Sequence, residues 1–296
     1  MAEPHPHGRR LGRLPIAVLV AFTASVFAWL TLVNHWLPMP GGESHDHGAS
    51  DHGTHDHSTH DHSTHDHSTH DHGTGESAMA MTDPGVPEAM ALANGVSGIG
   101  LYLLMWGVMM IAMMYPSTIP LFRLYEGTLR DAPTTERLPK LGAFMGTYAV
   151  VWGLTGIVPL LVNWFVPIAP IAAGNEALLL GASLLVLGSY QVSPYKQQCL
   201  DYCRSPLGFL TAHHRPGVSG AIRLSGRFSV FCIGCCWALM GLMVVVGSMN
   251  VLWMAIITVV LSLERLVSWG PRLATAVGVL AGGAGIGLLV LSLPVA

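Results

Sequence analysis

Three groups of side chains in this sequence have types and spacings that suit metal chemistry. From Met105 to Pro120 the chain reads MWGVMMIAMMYPSTIP, with five methionines in ten residues: Met105, Met109, Met110, Met113 and Met114. Met105, Met109 and Met113 recur at i, i+4, i+8, so three thioethers line one face of a helix, and Met110 and Met114 form a second row beside them. Thioether sulfur is soft and suits Cu(I), but it also fills gaps in apolar cores. For this helix taken alone, the two uses are evenly matched.

The second group is the cysteines. Cys199 and Cys203 lie four apart in YQVSPYKQQCLDYCR, hence on one face of a helical segment, with Lys196 and Arg204 close by. Nearby positive charge favours the thiolate that binds metal. Farther on, FCIGCCWALMGLM sets Cys232, Cys236, Met240 and Met243 at i, i+4, i+8, i+11, a single stripe, with Cys235 one position off it. C-x3-C followed by C-x2-C-C is not a zinc-ribbon spacing. Four thiolates beside a methionine stripe suit Cu(I) better; the plainer alternative is small buried cysteines that only pack.

The third group lies in a low-complexity stretch from Glu43 to Glu76 with a five-residue THDHS repeat. It carries eleven of the sixteen histidines: His45, His47, His52, His55, His57, His60, His62, His65, His67, His70 and His72. Imidazole is the commonest protein ligand for zinc, copper and nickel, and a neighbouring Asp polarises the ring or adds an oxygen. With no large apolar residue to build a core, the stretch is expected to be disordered without metal and to act as a buffer rather than a defined site. Zinc or nickel would bind there as readily as copper. Met79, Met81 and Met90 follow on the same side and add soft ligands, or are ordinary loop residues.

The elements that must position these groups are membrane helices. The chain is 51% apolar and only 10% charged, whereas soluble domains carry about a quarter charged residues. Apolar runs of roughly 20 residues fall at about 14–37, 98–120, 141–166, 177–192, 228–248, 251–267 and 274–293. They predict an all-α polytopic transmembrane bundle of about seven helices, a six-helix core plus an N-terminal anchor. Pro116 is expected to kink or stop the second helix, and Pro159 and Pro167 to break the outer part of the third. The Gly-rich last helix offers small residues for close packing.

All fourteen Lys and Arg fall in the N-terminal tail and in every second loop. The positive-inside rule then places the N-terminus in the cytoplasm and the C-terminus outside, in a multi-pass protein of the cell (plasma) membrane. The predicted organisation is a tail and signal-anchor helix over 1–37, an extracytoplasmic His/Asp-rich loop over 38–96 and a six-helix core over 97–296. The first apolar run is too long for a typical cleaved signal, although Ala21-Phe22-Thr23-Ala24 is a conceivable cut site. The cysteines then lie at the cytoplasmic end, where thiols stay reduced. Glu264, beside Arg265, reads as an interfacial ion pair or as a charge that neutralises an arriving cation. A net charge of −3 without a basic cluster argues against a nucleic-acid partner.

The blocks MWGVMMIAMMYPSTIP, YKQQCLDYCRSP and CIGCCWALMGLMVVVGSMNVLWM resemble, in order, those of a bacterial and archaeal family of predicted metal-binding integral membrane proteins. That family was formerly a domain of unknown function. The resemblance runs from about Ser97 to the C-terminus. It implies a role in supplying copper to secreted or membrane copper oxidases such as tyrosinase, a polyphenol oxidase. It also implies Met109, Met110, Met113, Met114, Cys199, Cys203, Cys232, Cys235, Cys236 and Met240 as ligand positions.

Together these readings describe a non-enzymatic membrane protein that binds copper as Cu(I) and transports it or delivers it to a copper enzyme. Its partners are the lipid bilayer, the metal ion, a copper-dependent oxidase and, as a further candidate, a second copy of itself. No nucleotide-binding loop or phosphorylation domain is visible. The rival readings are a zinc or nickel carrier, a membrane thiol–disulfide oxidoreductase built on Cys199/Cys203 and Cys235/Cys236, and a structural or assembly subunit of a copper enzyme.

Overall fold

A chain this poor in charge can bury its peptide groups only by pairing them internally, and a helix does so within one segment. The structure, a computed structural model, describes residues 15–34, 36–37 and 82–292. The His45–His72 ligands, His35, Met79, Met81 and the N-terminal arginines lie outside the described residues.

Among the described residues all regular structure is helical. In chain order the helices are α1 (Ile16–Val33), α2 (Val86–Ala93), α3 (Gly95–Thr128), α4 (Thr134–Leu154), α5 (Ile157–Phe165), α6 (Ile168–Gln191), α7 (Pro194–Arg204), α8 (Pro206–His213), α9 (Gly217–Val245), α10 (Val251–Leu266) and α11 (Gly270–Ser292). Six stretches are long and apolar enough to cross a membrane: α1, α3, α4 with α5, α6, α9 and α11. The seventh expected segment forms α10, which at 16 residues is short of the roughly 20 that a crossing takes. This shorter helix packs on α3 and α11.

Pro116 does not end its helix: α3 runs on through Pro116 and Pro120 to Thr128. A proline inside a helix leaves the carbonyl four residues back without its N–H partner. Here that carbonyl is Ala112 O, and α1 supplies the missing donors. The Ser25 hydroxyl donates to it at 2.9 Å and the Trp29 indole N–H at 3.1 Å. At the other end of α1, the buried Glu126 carboxylate of α3 accepts the N–H groups of Ile16 (3.0 Å) and Ala17 (2.8 Å) and an ion pair from Arg137. Free N–H groups at a helix start favour an anion. The start of α1 and the end of α3 are thereby joined at one end of the bundle.

The break expected near Pro159 falls at Thr155–Gly156, between α4 and α5. The expected close packing of the last helix is met by α6. A Cβ added at Gly188 of α6 would come within 2.6–2.7 Å of Gly282 N and Gly278 O on α11, and one at Gly285 would meet Gly181 O at 2.8 Å. These glycines let the two backbones touch.

Gly188→Ala is expected to lower stability by about 1–3 kcal/mol, the usual cost of overpacking. Gly226→Ala in α9, with nothing within 4 Å of the added methyl, should gain about 0.5–1 kcal/mol from helix propensity. Thermal unfolding of both variants in the same detergent checks the difference in sign.

Candidate metal centre

Four of the five cysteines come together where α4, α7, α9 and α10 meet. Cys203 Sγ of α7 lies 3.7 Å from Cys235 Sγ of α9, and Cys235 Sγ lies 3.4 Å from Cys236 Sγ. Cys232 joins the group through side-chain hydrogen bonds with Cys203 and Cys236. All of them are free thiols. Cys203 is held well above the ordinary thiol range because its S–H donates to the Cys232 and Cys235 sulfurs, with burial adding to the effect. Cys199, four residues earlier, is half-buried and lies against Gly234 rather than in the sulfur group; burial pushes its thiol up.

Arg265, projecting from α10, lies against this sulfur. One guanidinium nitrogen donates to Cys235 Sγ at 3.3 Å, to Cys232 O at 3.5 Å and to Cys236 Sγ at short range. The other donates to the Ser117 hydroxyl of α3 at 2.9 Å. Arg265 Nε, also buried, has no hydrogen-bond partner. The residue is 7% exposed, yet among the described residues no carboxylate pairs with it.

Glu264 does not form the ion pair with Arg265 that adjacency suggested. Its carboxylate instead accepts from Lys196 Nζ of α7 at 2.7 Å and from Gln191 Nε2 of α6 at 2.7 Å. Neighbouring positions on a helix point about 100° apart, so adjacent charges cannot share one contact face. Lys196 Nζ also donates to Cys235 O. Tyr148 of α4 bridges Thr118 Oγ1 (2.9 Å) and Cys232 Sγ (3.0 Å).

The methionines divide among several places. Met109, Met110, Met113 and Met114 are fully buried in the core. Met105 lines a small cavity with Met249, the residue before the N-cap Asn250 of α10, and Met254 of α10. Met243 is buried, whereas Met240 lines an apolar cavity of about 330 Å³ with Trp106, Trp152 and Trp237. The i, i+8 spacing explains Met240, since eight residues carry it about 80° around the helix from Cys232, while eleven bring Met243 back to within about 20°.

The arrangement offers sulfur and a fixed cation, with the nearest carboxylate already paired. Among the described residues, no three or more His, Cys, Asp or Glu stand as placed in a metal-holding group; the thiols are engaged with one another and with Arg265. Sequence spacing missed Arg265, Tyr148 and Ser117. The signal for Arg265 was present, because two adjacent ionisable residues within an apolar run are costly unless they are used.

The family model described as "PpoB2: Copper chaperone" matches residues 103–288, more than half of the chain. Neither the curated proteins nor the solved structures hold a match to it.

Glu264→Gln leaves the Lys196 ammonium buried beside a neutral amide and is expected to cost about 3–5 kcal/mol. Glu264→Gln with Lys196→Met removes both charges and should recover most of that loss. A double-mutant cycle by thermal unfolding in detergent reads the coupling, and independent, additive effects would count against the pair.

Proposed function

This chain belongs to the PpoB2 copper chaperone family, and from that premise we propose that it binds Cu(I) at its cysteine cluster and passes it across or out of the membrane to a copper enzyme. The observation that carries this reading is the meeting of Cys203, Cys232, Cys235 and Cys236 around Arg265. Cu(I) takes soft ligands in low coordination number. A Cu(I) ion on two thiolates carries one net negative charge, which the single positive charge of Arg265 offsets. Without such compensation a charged complex in an apolar interior is costly.

Four sulfurs exceed what one Cu(I) needs. The surplus provides incoming ligands for stepwise exchange, so the ion moves without ever being bare. Cys203 sits on α7, outside the apolar spans, and is the sulfur placed to pass copper to or from a partner. Met109 and Met113 lie between the Met105 cavity and the Arg265 contact at Ser117, and support a thioether path along α3. With the cysteine end in the cytoplasm, the 43–76 tract would collect metal outside. Direction of movement is set by the partners, since the same ligands serve either way. The role is non-catalytic.

The His-rich tract binds metal whatever the core does, so the test removes it. Protein lacking residues 43–76, loaded anaerobically, is expected to retain Cu(I) against a competing chelator and to exclude Zn(II). Cys232→Ser, Cys235→Ser and Cys236→Ser together should weaken Cu(I) retention by at least about tenfold. Zn(II) held in preference to Cu(I) would favour the zinc carrier. Thiol trapping that found a cycling Cys203–Cys235 disulfide would favour the oxidoreductase. Unchanged Cu(I) stoichiometry in the triple variant would reduce the cysteines to packing.

A further inference from the structure

The cavity that Met105 lines belongs to no ligand group recognised by spacing. It holds about 20 Å³ and is walled by Met105, Met249 and Met254 together with Thr31, Leu32, Leu37 and Val251. Met105 and Met254 are 3% and 1% exposed, and Met249 is half-buried. The three thioethers come from three separate parts of the chain: mid-α3, the α9–α10 turn and the start of α10. Thr31 is the polar side chain in the wall, and its hydroxyl is committed to Ala28 O at 2.7 Å. The rest of the wall is methionine and hydrocarbon side chains.

Its position is informative. Leu37, in its wall, is the last described residue before the His/Asp-rich segment. Thr82, the first described residue after it, lies against Gly247, where an added Cβ would collide with the Thr82 carbonyl. Gly247 has φ +99°, a conformation that favours glycine, and it leads directly into Met249. Of the two described residues that flank that segment, Leu37 lines the cavity, and Thr82 lies against Gly247, two residues along the chain from the cavity-lining Met249.

A second observation points to a cation. Glu88 of α2 is fully buried, and its Oε2 has no hydrogen-bond partner. Its Oε1 accepts from the Tyr102 hydroxyl at 2.8 Å, and Ser248 interacts with the same carboxyl. Tyr102 is about one helical turn before Met105, and Ser248 is the residue before Met249. A three-thioether Cu(I) complex keeps its full positive charge, which a buried carboxylate such as Glu88, bonded to Tyr102 and next to Ser248, would offset. Burial favours the neutral form of Glu88, and a nearby cation favours the charged one.

We propose that Met105, Met249 and Met254 form a three-thioether Cu(I) capture site between the His/Asp-rich segment and the cysteine cluster, with Glu88 as its counter-charge. The site rests on the copper reading above and deepens it. Neutral thioethers select Cu(I), because Zn(II) takes thiolate, imidazole and carboxylate ligands. Capture here would strip harder metals from whatever the histidines collect. The ion stays Cu(I), and only ligands exchange. From Met105, the buried Met109 and Met113 follow along α3 at four-residue spacing, turning about 40° around the helix at each step, toward Ser117, about 18 Å away at 1.5 Å per residue.

The test uses the full chain in detergent, anaerobically, with Cu(I) buffered by a competing chelator. Met105, Met249 and Met254 are changed together to Leu, which keeps volume and removes sulfur, in the wild-type and in the Cys232/Cys235/Cys236→Ser backgrounds. In the Ser background the Leu triple should lose about one Cu(I) equivalent, and the copper X-ray absorption edge should lose thioether character. In the wild-type background the thiolate–Cu(I) ultraviolet band should still form, but about tenfold more slowly. Glu88→Gln should weaken the same equivalent without altering the cysteine band. Unchanged copper and unchanged loading rate would overturn the site. Should the triple variant fold poorly, Met249→Leu alone, at a half-buried turn residue, decides by the same slowing of loading. A Leu triple that loses copper while the Ser variant loses none would sink the cysteine reading and leave the capture site standing.

Discussion

The structure depends on a buried guanidinium without a carboxylate. Arg265 reaches into a place where α3, α9 and α10 meet; its two terminal nitrogens donate to a serine, a carbonyl and two sulfurs, while its Nε is left without a partner. Burying an arginine among apolar helices is unfavourable unless something nearby carries or accepts charge. Lys196 and Gln191 already occupy Glu264, and among the described residues sulfur is what faces the guanidinium. The cysteines and the arginine are packed as one hydrogen-bonded group.

The surrounding helices serve this unit by holding polar groups in fixed places within an apolar bundle. Tyr148 ties Cys232 to Thr118 and so locks α4, α9 and α3 to one another. Ser225 of α9 donates to Phe144 O of α4 at 2.7 Å, and Tyr115 of α3 to Met145 O at 3.0 Å. Each bond uses a hydroxyl that would be costly to bury unpaired. The α6–α11 pair contributes differently, through backbone contact at glycines, and its outer surfaces carry exposed Val186, Val279, Leu280 and Val290. It supports the bundle from one side and brings Gln191 to Glu264.

Much of this was legible in the residues. Apolar runs located every long helix, and the glycines of the last one foretold its close packing. Cysteine spacing grouped Cys232, Cys235 and Cys236, whereas the approach of Cys203 from another helix is seen only in the structure. Spacing failed where the decisive geometry is set between helices. Cys199 and Cys203 share a helix face in the pattern, yet only Cys203 reaches the cluster. Met240 sits on the stripe by count but turns away with the helical drift. Pro116 read as a kink or a stop in α3, because nothing local shows that α1 supplies donors to Ala112 O. The Met105–Met249–Met254 cavity joins residues about 145 positions apart, which no window on the sequence connects.

The bond from α1 to Ala112 O bears on what counts as an autonomous unit of this protein. The family match begins at residue 103 and so leaves α1 outside. A fragment cut to that boundary would keep Pro116 and lose Ser25 and Trp29, leaving a bare carbonyl deep in an apolar helix beside the methionines. It would also leave Glu126 with Arg137 alone. The matched region is thus smaller than the unit in which Ala112 O finds its donors.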